Sequence, residues 1–444
     1  MRLWPVGSVL ALTFAVAVLV SAAVFYTGWD LLDVRGLKPE PQIDSTTLFD
    51  LVKLSFGVVA GAGALVALVV AYRRQRVDED GALREATRLH TERFTTAVAQ
   101  LGDASPAVRL GGVHALAGLA DDAPTQGLRQ TCIDVLCAYL RLPYIAEADL
   151  PTDDDEARHA YLSLRQVRHT VIRLISDHLR LAPNDPHSWQ GHDFDLTEVT
   201  FDGGDFSAVE FSGSRVNFAG ARFSAGTVTF YAARFSGGSV NFGGARFAGS
   251  RVIFNGAEFS GGTVNFAGAR FSDGTVSFAR SQFSGGRVEF ARTRFAGSRV
   301  TFTGAQVSGG SLDFSGAQFS DGTVTFTRTY FFDGTVDFAD AQFHGSIVNF
   351  THTSFSGSSV AFTDVEFSGG TVEFASARFA DGTVSFTRSR FSDGMVTFSH
   401  AWFPGGTVDF TGADGVAPIG LVPPSGSLFP TGLTLPSAWY SAPS

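Results

Sequence analysis

The segment VNFAGARFSDGT, Val264 to Thr275, decides the fold, because its twelve-residue pattern recurs on both sides of it. Phenylalanine occupies all seventeen positions spaced by twelve from Phe218 to Phe410. A second series from Phe211 to Phe403 keeps that spacing and is broken once, by Val307. Valine stands two residues before each member of the first series, with Leu312 as the only exception, and a small residue, usually Ala, stands two before the second. The unit is V-x-F-x-x-A-x-F-x-x-G-x, so steps between Phe residues alternate between five and seven. Alternation over V-x-F and A-x-F puts the named residues of each short strand on one side and the polar residue between them on the other. Connecting pairs such as Gly237-Gly238, Asp273-Gly274 and Gly297-Ser298 supply positive φ and sharp turns. A chain that turns after every two or three strand residues winds into a coil. Stacked coils pair their backbones about 4.8 Å apart and bring like residues into ladders, so the Phe series is expected to form continuous internal stacks.

Before this repeat settles, large apolar residues fall every five positions: Leu196, Phe201, Phe206, Phe211. The run FDLTE, VTFDG, GDFSA, VEFSG, from Phe194 to Gly213, resembles the pentapeptide-repeat family, whose consensus places a small residue, any residue, Leu or Phe, and two turn residues. The resemblance extends from Phe194 to about Asp414, roughly half the chain. It implies a right-handed, four-sided β-helix in which Leu196, Phe201, Phe206 and Phe211 point inward. Beyond Gly213 every second unit carries two extra residues, which leaves two coil sizes open. Two twelve-residue units per turn would keep four sides and give roughly nine coils, about 45 Å long, whereas one unit per turn would give a thinner rod of about 80 Å. Four sides are expected, since two Phe, one Val and one Ala crowd the thinner cavity.

Outward from the repeat, the N-terminus carries two uncharged runs, 24 residues from Leu3 to Tyr26 and 19 from Leu54 to Tyr72. Each is long enough to cross a hydrocarbon layer of roughly 30 Å. The polar stretch Thr27 to Lys53, with Pro39 and Pro41, reads as a short exposed loop. Arg73, Arg74 and Arg76 follow the second run, and positive charge beside a span stays on the cytoplasmic side. Residues 1–76 are therefore expected to form a two-helix transmembrane hairpin with both termini inside, which makes the chain a multi-pass cell-membrane protein. Ser21, Ala22 and Ala23 offer a cleavage-like site, but the first apolar stretch exceeds the usual 7 to 15 residues of a signal peptide. Gly57 and Gly61 form a small-xxx-small pair suited to packing within the hairpin.

Residues 77–190 read as a cytoplasmic α-helical domain. Ser105-Pro106 has the form of an N-cap followed by proline at the first helical position, with Val108, Val113, Leu116 and Leu119 on one face. Leu128, Ile133, Leu136 and Leu140 mark a second helix, ended by Pro143. A third is expected near Thr152, where Asp153 to Glu156 suits the positive end of a helix dipole better than a metal site. The stretch FTTAVAQLGDASPAVRLGGVHALAGLADD, followed by CIDVLCAYLRLP, resembles a segment found beside pentapeptide repeats in actinobacterial membrane proteins, which implies a linking or docking role. His159, His169 and His178 are spaced by ten and nine and do not converge as ligands would. Cys132 and Cys137, five apart on a helical pattern, build neither a disulfide framework nor a zinc site.

Composition narrows the function. The 444 residues include 43 Phe and 50 Gly but only 2 Lys, Lys38 and Lys53, neither of which follows a Gly, so a Walker-type phosphate loop is excluded. A net charge of −10 disfavours nonspecific binding to nucleic acid. No nucleophile and base stand together, His344, His352 and His400 are scattered, and no catalytic, cofactor-binding or metal residue is nominated. The expected function is a non-enzymatic, membrane-tethered scaffold that presents a β-helical rod to an unknown cytoplasmic protein. Charge divides along the rod: 11 Arg against 3 acidic residues from Arg215 to Arg299, then 12 acidic residues against 4 Arg from Val300 to Asp414. Such halves also allow self-association. The resemblance supplies an alternative, a DNA-mimic modulator of a topoisomerase such as DNA gyrase. Against it, 20 acidic and 15 basic residues from Phe194 to Asp414 fall short of a uniformly acidic surface. Ice binding is a third reading, carried only by Thr227-Val-Thr229 and Thr323-Val-Thr325. The Pro-, Gly- and Ser-rich tail, 415–444, either frays or folds Leu428, Phe429 and Trp439 over the last coil.

Overall fold

The computed structural model describes residues 44–151, 154–213, 215–422 and 430–440, with scattered positions between 11 and 30. The first expected span, Leu3 to Tyr26, lies outside the continuously described residues, as do Leu428 and Phe429. The chain divides into two compact units, residues 1–91 and 92–444. Helix α1 (Ser45–Leu101) carries the second apolar run and is, among the described residues, the one helix long and apolar enough to cross a membrane. Leu54, Phe56, Val59 and Leu68 along it are each more than 60% exposed, the surface that a lipid-facing helix presents.

In the second unit, α2 (Pro106–Asp121) starts as the Ser105-Pro106 signal predicts. Helix α3 (Gln126–Arg141) is capped by Thr125, whose Oγ1 accepts from the Leu128 amide, and α4 (Asp155–Arg180) by Asp154, which accepts from Ala157. The acidic run is thus a helix start. Both cysteines are buried thiols outside any disulfide, and burial pushes them up, to about 11 for Cys132 and about 12 for Cys137.

From Phe194 the chain forms a parallel β-solenoid of about ten turns. Residue i pairs with residue i+24: Val240 with Val264, Phe247 with Phe271, Val252 with Val276, Phe259 with Phe283. Each turn therefore holds two twelve-residue units and contributes four short strands, for example Arg215–Asn217, Arg222–Phe223, Thr227–Thr229 and Arg234–Phe235. The opening turn, built from units of five, is shorter, with Phe194 on Val216 and Phe201 on Phe223 in steps of 22. Longer strands such as Gln306–Asp313 and Tyr330–Asp337 run through one corner and merge two of the four ladders.

Packing explains the 24-residue turn. Successive first-series rings of one turn, such as Phe230 and Phe242, meet edge to face at 5.9 Å and 87°. Each also stacks on its counterpart one turn away, Phe230 on Phe254 and Phe242 on Phe266, both at 4.7 Å and 3°. Strand spacing dictates the stacked distance, and the edge-to-face neighbour supplies the quadrupole contact that a parallel stack lacks. One buried apolar core runs without interruption from Ala97 in α1 to Leu421 beyond the last turn.

The polar residues of the unit also have structural work. The outward residue of V-x-F accepts the amide two positions on, as Asn241 does from Gly243, Asn265 from Ala267 and Asp337 from Ala339. The turn then closes from Phe carbonyl to the amide three residues later, Phe242 to Ala245. Where Ser or Thr replaces the small core residue, its hydroxyl donates to a Phe carbonyl one turn earlier: Ser281 to Phe254 at 2.7 Å, Thr293 to Phe266 at 3.0 Å. A hydroxyl enters the core without an unmet hydrogen bond.

Candidate interaction surface

The first turn of the solenoid is clasped by the helical domain through a buried carboxylate. Asp202, 3% exposed, accepts from Tyr144 Oη at 2.5 Å, Tyr161 Oη at 2.7 Å, His169 Nε2 at 2.9 Å and Arg165 Nε at 3.1 Å. Burial alone would raise its pKa, but the donors from His169, Tyr144 and Tyr161 hold it well below the usual carboxylate range. Burial and the same carboxylate push Tyr161 up to about 12. Arg168 stacks on the Tyr144 ring at 4.1 Å and donates to the carbonyls of Leu140 and Thr200. Tyr144, Tyr161, Arg165 and His169 all converge on this one carboxylate, which makes the cluster a structural joint between α4 and the solenoid.

A second joint centres on Asp121, which accepts from His178 Nε2 and Trp189 Nε1, both at 3.1 Å, while His178 stacks on Trp189 at 4.1 Å. Arg129, buried nearby, donates to the carbonyls of Ala120, Asp121, Pro186 and Ser188. Burial opposes charge on His178, but its bonds to Asp121 and to the Leu174 carbonyl raise its pKa above the usual 6.5. His192 moves the other way, lowered by burial and by Arg129. The stability from His178 is complete below about pH 6.5 and is lost as pH rises through its raised folded value, whereas the penalty from His192 is relieved as pH rises. His178→Gln and His192→Gln are therefore expected to tilt the pH profile of thermal unfolding in opposite directions between about pH 5.5 and 8. Tilts of one sign would contradict this assignment.

At the far end the tail closes the core. Leu433–Thr434 adds a strand beside Thr407–Asp409, and Trp439 meets the rings of Phe391 and Phe410, each at 5.5 Å. Trp439 Nε1 donates to the Gly415 carbonyl at 3.0 Å. Both ends of the Phe stack are thus covered, and what remains for recognition is the outer surface.

On that surface, side chains one turn apart stand side by side. Several charged columns are neutralised from a neighbouring turn: Arg234 pairs with Glu258 at 3.4 Å, Arg287 with Asp313 at 3.8 Å, and Arg388 with Asp364 at 2.5 Å, whereas one run of arginines is not. That run is Arg222, Arg246, Arg270 and Arg294, one above another in a single column; its members are exposed, and among the described residues none of the four forms an ion pair. The two Thr-Val-Thr segments are separated in their column by Arg251, Thr275 and Arg299, so no Thr ladder forms. His352 and His400 sit in left-handed turn positions, and His344 bonds Ser368.

A second feature escapes the repeat altogether. Tyr330 and Phe332 stack on each other at 5.6 Å and 7°, exposed by 38% and 46%. In the same column follow Ser354, Arg378 and Trp402, with the Arg378 guanidinium 4.9 Å over the 60%-exposed Trp402 ring. Two aromatic walls therefore flank Ser354 over three strand spacings, about 14 Å. The sequence signal for this platform is departure from consensus, in YFFDG at 330–334 and at Trp402. No protein-family model, curated protein or solved structure matches the chain.

Proposed function

We propose that this chain is a non-enzymatic, membrane-tethered scaffold of the pentapeptide-repeat type, a right-handed four-sided rod that presents an aromatic platform to a protein partner in the cytoplasm. The platform carries the reading. Tyr, Trp, Phe and Arg are the residues that concentrate binding energy at interface centres, and here they are gathered on one wide sheet surface with no packing role in the core. The interior supports a structural part for the rest of the solenoid, since its Phe stack is continuous and the hydroxyls that replace its small core residue, such as Ser281 and Thr293, are spent on backbone carbonyls. Tethering is supported by the exposed apolar run of α1, and a cytoplasmic rod by Arg73, Arg74 and Arg76 directly after it.

Affinity capture of the full chain from detergent extracts, beside Tyr330→Ala/Trp402→Ala, tests the proposal. Each truncation at a hot spot costs about 2 kcal/mol of binding or more, so the double variant should lose at least tenfold of its captured partner. Unchanged capture by a folded double variant would refute the platform as the recognition surface.

A further inference from the structure

We infer that the column Arg222, Arg246, Arg270 and Arg294, with the exposed loop residues Leu142 and Ile145 beside its foot, is a contact surface for anionic lipid headgroups. The inference rests on reading α1 as a membrane tether. Four arginines on strands about 4.8 Å apart repel one another, and the rod elsewhere shows how such repulsion is relieved, by carboxylates on neighbouring strands, as Glu258 does for Arg234 and Asp313 for Arg287. This column receives none, so the relieving charge comes from outside the chain. Near its foot a cavity of about 450 Å³ is lined by Arg141, Tyr144, Glu198, Arg222 and Arg246, together with the loop Leu142–Ile145. Leu142 and Ile145 are 56% and 62% exposed. A cationic stripe with apolar side chains at one end is the composition that lies on an anionic leaflet, the arginines among phosphates and the aliphatic groups at the acyl boundary.

A second copy of the chain fits less well. Further along the same face stand Gln318, Gln342, Glu366, Arg390 and Asp414, where Arg390 and Asp414 already pair, so among the described residues this face offers no matching column of unpaired acids. The lipid reading also gives the charge division a consequence: the Arg-rich half settles on the leaflet and the acidic half, repelled, projects from it with the aromatic platform.

The test uses the wild-type full chain in nanodiscs at one chain per disc, of phosphatidylcholine alone or with 30% phosphatidylglycerol as roughly cytoplasmic-leaflet charge. Arginine modification by phenylglyoxal is followed by mass spectrometry. Arg222, Arg246, Arg270 and Arg294 are expected to react about fivefold more slowly or less in the anionic discs, with Arg251 and Arg299 on a different sheet as unchanged references. The protection should vanish near 1 M salt, where the Debye length falls to about 3 Å. Equal rates in both discs would overturn the inference, as would protection that requires two chains per disc and ignores lipid charge. Alkaline extraction of the chain from both discs would instead refute the tether, and flotation of the freed chain with anionic vesicles would still read the column.

Discussion

Phe290→Ala is expected to lower the stability of the solenoid by about 3 to 5 kcal/mol, the range for deleting a fully buried aromatic ring. Phe290 is wholly buried, stacked on Phe266 at 4.7 Å and Phe314 at 4.9 Å, and edge to face with Phe278 at 5.7 Å and Phe302 at 5.8 Å. Backbone hydrogen bonds to the turns on either side fix the spacing of the stack, so the cavity cannot collapse. Phe290→Leu should cost less, about 1 to 2 kcal/mol, because part of the volume is kept. Phe332→Ala, on the outer surface, should stay within about 0.5 kcal/mol. Urea unfolding of the full chain followed by far-UV circular dichroism reads the order. Equal losses at positions 290 and 332 would mean that the rings do not form the interior.

The second large effect lies at a corner. Gly274 has φ of +87°, and a Cβ placed there would stand 2.2 Å from the Ser250 carbonyl oxygen one turn earlier. Gly274→Ala therefore combines left-handed strain of about 1 to 2 kcal/mol with a backbone overlap that only separation of two turns relieves, and a total above about 3 kcal/mol is expected. Ala232 has the reverse situation: it already occupies a left-handed turn at φ of +53°. Ala232→Gly should stabilise the rod by about 0.5 to 1 kcal/mol, the strain relieved less the greater entropy of glycine in the unfolded chain. Opposite signs for two exchanges of the same pair of residues are a demanding outcome. If both exchanges destabilise, the turn conformations assigned here are incorrect.

How much of this was legible follows from where the interactions lie in the sequence. The coil, its inward Val, Phe and Ala, and its glycine corners are local or strictly periodic, and the twelve-residue pattern carries them. Coil size needed the register, because period twelve is compatible with pairing at i+12 or i+24, and the pairing of Val240 with Val264, with the edge-to-face meeting of Phe230 and Phe242, shows that one turn holds both units. The polar residue between Val and Phe was legible only as an outward position, yet where it is Asn or Asp it closes the turn by accepting an amide two residues on. The Asp202 joint was not legible, since Tyr144, Tyr161, Arg165 and His169 lie 33 to 58 residues from it and no spacing announces their convergence. His169 and His178, whose spacing in the sequence shows no convergence, each serve one carboxylate in the joints between helices and solenoid.

Recognition through the aromatic platform is the central functional claim, and site-specific photocrosslinking in cells tests it most directly. A photoreactive residue replaces Ser354, between the two aromatic walls, or Thr275, on a different sheet, in the full chain. The account predicts a discrete protein adduct from position 354 that Trp402→Ala removes, and none from position 275. Adducts of equal yield from both positions, or from neither while the partner still copurifies, would contradict it.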